Sequence, residues 1–291
     1  MTTWQQQLQF WIHAACRMEV LSPKPGNVSP GREFAGASVR DFLQSSAAIA
    51  PIIAMARQYS LGETILQAVR ATRSVVDHNT NLGIILLIAP LAAVNPERSL
   101  LDGVEQVLAG TTLRDSQLVY EAIRLANPGG LGDAGEQDVV NAPSLTLRDC
   151  MILAAERDFI AAQYADGFQE LLGIGMPLLR ESTEITRAQP EQITCLALNL
   201  LARFGDTLIA RKCGPAVSDQ VRRQATEVLA SGWPHSSSGQ QLFSELDAFL
   251  RADGNRRNPG TTADSVAAIL FGAQREGWFC MQEAEFSGEQ S

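Results

Sequence analysis

Five short stretches of the 291-residue chain gather Gly, Pro, Asn, hydroxyl and charged side chains where a protein of this composition would be expected to keep plain turns. The first is Glu19-x-x-x-Pro23-Lys24-Pro25-Gly26-Asn27-Val28. Two prolines restrict the backbone on either side of Lys24, and Gly26 admits a close approach to the main chain. A restrained lysine beside such a glycine suits a phosphate; an ordinary turn is the plainer reading. The second is Asp77-His78-Asn79-Thr80-Asn81-Leu82-Gly83, directly ahead of an apolar run. Polar groups at a helix start favour an anion, and capping by Thr80 or Asn81 explains part of the pattern. The third is Asn127-Pro128-Gly129-Gly130-Leu131-Gly132, continuing to Asp133, Glu136 and Asp138. Its glycines allow a ligand close to the backbone, and its carboxylates can share a hard cation such as Mg²⁺. The spacing is not that of an EF-hand, and a solvated acidic loop is the competing explanation.

The fourth stretch, Gly205-Asp206-Thr207-Leu208-Ile209-Ala210-Arg211-Lys212-Cys213-Gly214, places Thr207 and Arg211 on one helical face. Arg211 and Lys212 can receive phosphate oxygens, or they form a surface salt-bridge edge. The fifth, Asn258-Pro259-Gly260-Thr261-Thr262-Ala263-Asp264, again puts Gly and hydroxyls at a helix start with a carboxylate in the first turn. That suits an anion or a metal-bound anion; Asp264 can equally complement the helix dipole. No Walker A loop, Rossmann fingerprint, H-E-x-x-H or G-x-S-x-G is present.

The elements that must position these stretches read as helices. Leu242, Phe243, Leu246, Phe249 and Leu250 follow a helical period after Ser238, with Asp253-Gly254 as a stop. Thr146 is expected to cap a helix carrying Leu147, Met151, Ala155 and Phe159. Residues 41–58, 63–76, 115–126, 190–204, 219–230 and 263–274 show similar runs. Period-two alternation and hairpin dipeptides are missing. The expected fold is all-α, with roughly ten or more helices in one domain over 1–291. Its core should span about 19–273; 233–240 reads as a surface loop and 283–291 as a flexible tail.

Composition narrows the class. The chain is 45% hydrophobic, 19% charged and carries a formal charge of -9, which argues against disorder and against a general nucleic-acid binder. The longest apolar run, 83–94, is too short for a membrane span and contains Pro90. The N-terminus lacks the basic start of a signal peptide, so a cytoplasmic location is expected. Five scattered cysteines without a C-x-x-C pair argue against a disulfide scaffold.

Taken together and in this order, Pro23-Lys24-Pro25-Gly26, Asn79-Thr80-Asn81-Leu82-Gly83, Asn127 to Gly132 with Asp138-Val139, Asp206 to Lys212 with Gly214, and Asn258-Pro259-Gly260-x-x-Ala263-Asp264 resemble the triphosphoribosyl-dephospho-CoA synthase family. The resemblance implies a helical pentosyltransferase. Such an enzyme transfers the 5-triphosphoribosyl part of ATP to the ribose 2′-hydroxyl of 3′-dephospho-CoA and releases adenine, making a prosthetic-group precursor. ATP, Mg²⁺ and dephospho-CoA are then the expected partners, with a homo-oligomer left open. By this resemblance Lys24, Arg211 and Lys212 contact phosphates. Gly26, Asn79, Thr80, Asn81, Gly83, Gly129, Gly130, Gly132, Asn258, Gly260 and Thr261 form the substrate-binding surface. Asp138, Asp206 and Asp264 are the catalytic candidates, and Asp133, Glu136, Asp138 and Asp264 the candidate Mg²⁺ ligands, unranked between the two roles. The sequence also departs from the family pattern. Val28 to Phe34 stands where an Asn-Asn-Gly-Ala-His segment is usual, and Asn81-Leu82-Gly83 lacks the usual His-Lys pair. A different acceptor, such as a pterin or folate analogue, therefore stays open. So do a non-catalytic nucleotide or CoA binder and a Mg²⁺-dependent N-glycohydrolase.

Overall fold

The helix starts are written in short polar side chains. Thr2, Ser38, Ser60, Ser99, Thr112, Thr146, Asp158, Asp206 and Ser236 each accept a hydrogen bond from a backbone N–H of the turn that follows. Each satisfies donors that a helix leaves orphaned at its N-terminus. The computed structural model describes residues 1–130 and 136–286. Among them lie fifteen α-helices and no β-strand. They are α1 (Thr3–Leu21), α2 (Val39–Ile53), α3 (Leu61–Val75), α4 (Leu82–Ala93), α5 (Leu100–Ala109), α6 (Leu113–Ala126), α7 (Leu147–Ala154) and α8 (Phe159–Asp166). A π-helical segment, Gln169–Gly175, then leads into α9 (Met176–Ile185). The rest are α10 (Gln189–Phe204), α11 (Thr207–Cys213), α12 (Pro215–Ala230), α13 (Ser237–Arg251), α14 (Gly260–Arg275) and α15 (Glu283–Phe286).

The expected all-α fold is what forms, with three local corrections. The helix capped by Thr146 does not run on to Phe159. Asp158 accepts from the N–H groups of Ile160 and Ala161 and restarts the chain as α8. Helix α13 is capped by Ser236, not Ser238, and Trp233 in the preceding loop stacks on Phe243. The first residues of the expected tail are docked: Glu283 pairs with Arg17, Glu285 accepts from the Gln189 N–H, and Phe286 is buried. Residues 287–291 lie outside the described part.

Helix α4 is apolar all round, which only a central helix can be. It packs against α2, α3, α5, α8 and α14, and α14 in turn packs against α1, α9, α10 and α11. The two helices thus bring their N-termini, Asn81-Leu82-Gly83 and Gly260-Thr261, together at the centre of the molecule. A satellite core of Leu198, Leu201, Val221, Leu246 and Leu250 holds α10, α12 and α13. A third, of Val20, Val28 and Val39 with Phe34 and Phe42 against it, lies under the 22–37 loop. No single helix among the described residues is long and apolar enough to cross a membrane.

Candidate active site

The N-terminal ends of α4, α11 and α14, the last turn of α1, and the loops after α1 and α6 converge on a cavity of about 450 Å³. All five polar stretches reach its wall, through Glu19 and Asn27, Asn79 to Gly83, Asn127 to Gly129, Leu208 with Arg211 and Lys212, and Asn258 with Gly260 to Asp264. Residues dispersed over nearly the whole chain thus share one enclosed volume.

Asp264 sits at its deepest contact. A Cβ on Gly83 would lie 2.0 Å from Asp264 Oδ2, so only glycine lets the α4 backbone approach this carboxyl. The Ile84 N–H donates to it. Burial raises the Asp264 carboxyl well above the usual carboxylate range, and the charges of Glu19, Asp206 and Asp158 push it further in the same direction. Glu19, on α1, is buried beside the cavity, and burial raises it too, opposed by Lys24.

Asn79, Thr80 and Asn81 line the same wall with different partners. The Asn79 carboxamide oxygen accepts from the Leu82 N–H at 3.1 Å, making Asn79 the side chain that caps α4. Thr80 shares a hydrogen bond with Ser45, at 2.6 Å. The Asn81 carboxamide oxygen accepts from Thr72 at 2.9 Å, while its buried Nδ2 has no partner among the described residues.

The cationic side is built on α11. Arg211 donates to Asp158 Oδ2 at 2.7 Å and to the Gly130 carbonyl at 3.0 Å. Lys212 donates to Asn258 Oδ1 at 3.1 Å. Burial lowers the Lys212 ammonium, and the charge of Asp206 opposes that. Gly129 and Gly130 lie against the Lys212 stem, and Gly130 takes a positive φ of 77°. Gly260 meets Leu208 so closely that a Cβ would come within 2.7 Å. The Thr261 hydroxyl bonds that of Thr207 at 3.2 Å, fastening α14 to α11.

Four of the expected site residues, Lys24, Gly26, Gly130 and Asp206, stand outside the cavity lining. Lys24 does not line the cavity. Its ammonium is 3.0 Å from Glu19 Oε1 and donates also to the carbonyls of Glu19 and Ser22, which uses all three of its N–H groups. The Gly26 N–H is taken by Asp247 Oδ1 at 2.7 Å, and its Cα presses on Leu250 of α13. The Asp206 carboxylate is committed to fastening α11 to α14. It accepts from the N–H groups of Ile209 and Thr262 and from the Thr262 hydroxyl, at 3.0, 2.8 and 2.8 Å, and it stands outside the cavity lining. Burial raises it, against those same hydrogen bonds. Of the acidic loop, Glu136 and Asp138 line the cavity; Gly132 and Asp133 lie outside the described residues. Among the described residues no three His, Cys, Asp or Glu side chains are grouped so as to hold a metal ion alone.

Sequence reasoning missed Glu19, Asp158, Arg157 and Tyr120, all in the cavity wall. Asp158 carried a signal, since an Asp directly before the apolar pair Phe159-Ile160 is a helix-start pattern. Tyr120 donates to the Gln137 carbonyl at 2.5 Å and so anchors the chain beside Asp138.

Comparison with known proteins places the chain in a family. The ATP:dephospho-CoA triphosphoribosyl transferase family model matches residues 5–283. The chain belongs to that family. It is 24% identical over 256 residues to a Pseudomonas putida protein described as a probable 2-(5″-triphosphoribosyl)-3′-dephosphocoenzyme-A synthase, covering 86% of this chain and 88% of the other. A synthase of the same description from Klebsiella pneumoniae is 29% identical over 105 residues, 36% of this chain and 37% of the other. A crystal structure of an Archaeoglobus fulgidus protein, described as a candidate triphosphoribosyl-dephospho-CoA synthase, superposes with a TM-score of 0.64 at 27% identity. It covers 81% of this chain and 100% of that one. The chain is accordingly a transferase of the triphosphoribosyl-dephospho-CoA synthase type, and the cavity is its candidate active site.

Proposed function

We propose that this transferase moves the 5-triphosphoribosyl group of ATP to the ribose 2′-hydroxyl of 3′-dephospho-CoA and releases adenine. The observation that carries this reading is the division of the one cavity. Carboxyl groups from α1, α8 and α14 are set against Arg211, Lys212 and the Gly-rich loop. Arg211 and Lys212, with the Gly129 backbone, receive the triphosphate, which stays intact. Breaking the bond between ribose C1 and adenine builds positive charge on the sugar, and flanking carboxylates are suited to stabilise it. The Asp264 carboxyl, which no Lys, Arg or His neutralises among the described residues, is suited to give its proton to the departing adenine.

The residues present suit Mg²⁺. Glu136 and Asp138 offer hard oxygen donors on the cavity wall, and Mg²⁺ is usually held by one or two carboxylates together with substrate phosphates. Bound there, it would supply charge neutralisation for the triphosphate. The chain's own residues orient the substrate and move the protons.

A second reading concerns the acceptor alone. Val28, Phe34, Phe42 and Leu82 make part of the cavity wall apolar, so a less polar acceptor hydroxyl fits the same chemistry. Incubation with ATP, Mg²⁺ and dephospho-CoA, with mass spectrometry for adenine and adduct, tests both. Adenine plus a dephospho-CoA adduct supports the first reading. Adenine release only with another alcohol acceptor supports the second, and adenine with free ribose triphosphate supports hydrolysis instead.

A further inference from the structure

Two carboxyl groups, Glu19 buried and Asp264 half-buried, share the wall of the cavity, and the protein treats them differently. Glu19 has a cation locked against it: Lys24 Nζ is 3.0 Å from Glu19 Oε1, with side-chain exposures of 0% for Lys24 and 5% for Glu19. The ammonium is immobilised further by the carbonyls of Glu19 and Ser22. It stands behind the wall, so the only end of the pair that opens on the cavity is the carboxylate. Among the described residues Asp264 has no such partner, and the largest charges acting on it are those of Glu19, Asp206 and Asp158, all acidic. The groups that face Glu19 are Lys24 from the loop, Asp264 from α14 and the Cys16 thiol one turn earlier on α1. Lys24 is the one cation among them. A buried ion pair is seldom the most stabilising use of two positions. Here it fixes a charged carboxylate at a wall where the reaction needs one.

We propose that Glu19 is the base of the transfer reaction and that Lys24 is its positioning residue, holding the carboxylate in place from behind the cavity wall. This rests on the transferase reading above. The proton of the acceptor hydroxyl passes to Glu19, and the freed oxygen bonds ribose C1. The bond from C1 to adenine breaks, its electron pair leaves with adenine, and the adenine takes a proton from Asp264. Water then relays the proton from Glu19 back to Asp264.

The test uses the full chain with ATP, Mg²⁺ and dephospho-CoA, reading adenine release, ATP affinity and melting temperature together. Glu19→Gln and Lys24→Met each leave half a buried pair and should lower the melting temperature. The double variant Glu19→Gln/Lys24→Met leaves a neutral pair and should recover most of it. Turnover in the double variant should nonetheless stay down by about a hundredfold or more, the scale of a lost general base, with ATP affinity unchanged. Wild-type turnover in the refolded double variant overturns the proposal, because a merely structural pair would be rescued along with the fold. Should the double variant not fold, Glu19→Asp keeps the charge and withdraws the carboxylate by one methylene. A large drop in kcat with KM for ATP unchanged supports the assignment, and a wild-type kcat overturns it. A wild-type chain that releases no adenine at all defeats the transferase reading instead, so the two failures are distinct.

Discussion

Lys24 shows how much a side chain's direction matters. Two prolines restrain its backbone, but nothing in the spacing says whether the four-carbon stem turns out to a phosphate or in to a carboxylate. It turns in, and its removal strands Glu19 in a low-dielectric wall. Lys24→Ala should therefore cost about 3–5 kcal/mol of stability, the range for breaking a buried pair from one side, as measured by urea unfolding. An unchanged unfolding midpoint would show that the pair is not what the fold relies on. Asp264 gives the opposite signature. Its carboxyl is raised well above the ordinary range, by burial first and then by acidic neighbours, so the protonated form is the one the fold favours. A group raised in the folded state gives stability that is fully present below its unfolded pKa and lost as pH climbs through the raised value. Asp264→Asn, which mimics the protonated form, should flatten that loss when both proteins are unfolded in urea across a pH series without divalent cation. Its turnover should fall by about a hundredfold or more. Asp264 was readable in advance because Asn-Pro-Gly-x-x-Ala-Asp marks a helix start. Asp158 carried a similar helix-start signal, but Glu19 did not, since which carboxylate of a helix faces a cavity depends on partners distant in the chain.

The helices were legible from their period, with starts read at 63 and 115 where Ser60 and Thr112 cap α3 and α6 slightly earlier, and the Thr146 cap of α7 was read directly. They were misread where a second cap restarted the chain, as Asp158 does between α7 and α8. The reason that α4 and α14 meet is written in glycine. Gly83 gives α4 the thin edge against which the Asp264 carboxyl rests, with 2.4 Å from the would-be Cβ to Asp264 Cγ. The atoms a methyl would meet are side-chain ends, the Asp264 carboxyl and Ile160 Cδ1, so the carboxyl is what must move. Gly83→Ala should destabilise by about 1–3 kcal/mol, the usual scale of overpacking. It should also reduce kcat through displaced Asp264, a split that thermal unfolding and steady-state kinetics resolve on one preparation. A fully active Gly83→Ala protein would mean that the two helices can part without moving the carboxyl.

At the scale of the whole molecule, charge is the unsolved part of substrate binding. The chain carries a formal charge of -9. Its cavity wall holds Glu19, Glu136, Asp138, Asp158 and Asp264 against Arg157, Arg211 and Lys212 among the described residues. Lys24, counted from sequence with Arg211 and Lys212 as a cation for the triphosphate, is spent on Glu19, and Arg211 is shared with Asp158. A triphosphate entering this site meets five wall carboxyl groups against three cations, with Arg211 already paired, so a divalent cation should accompany it. ATP affinity measured by calorimetry should weaken by about tenfold or more, roughly 1.4 kcal/mol, when Mg²⁺ is replaced by excess chelator. Mg²⁺ without ATP should hardly move the melting temperature, because no three acidic side chains among the described residues are grouped to hold it alone. The pair of results separates a cation carried in on the phosphates from one resident in the protein. A large shift of melting temperature by Mg²⁺ alone would point to a resident site. Equal ATP affinity with and without the cation would mean that the backbone donors at Gly129 and at the start of α14 neutralise the triphosphate by themselves.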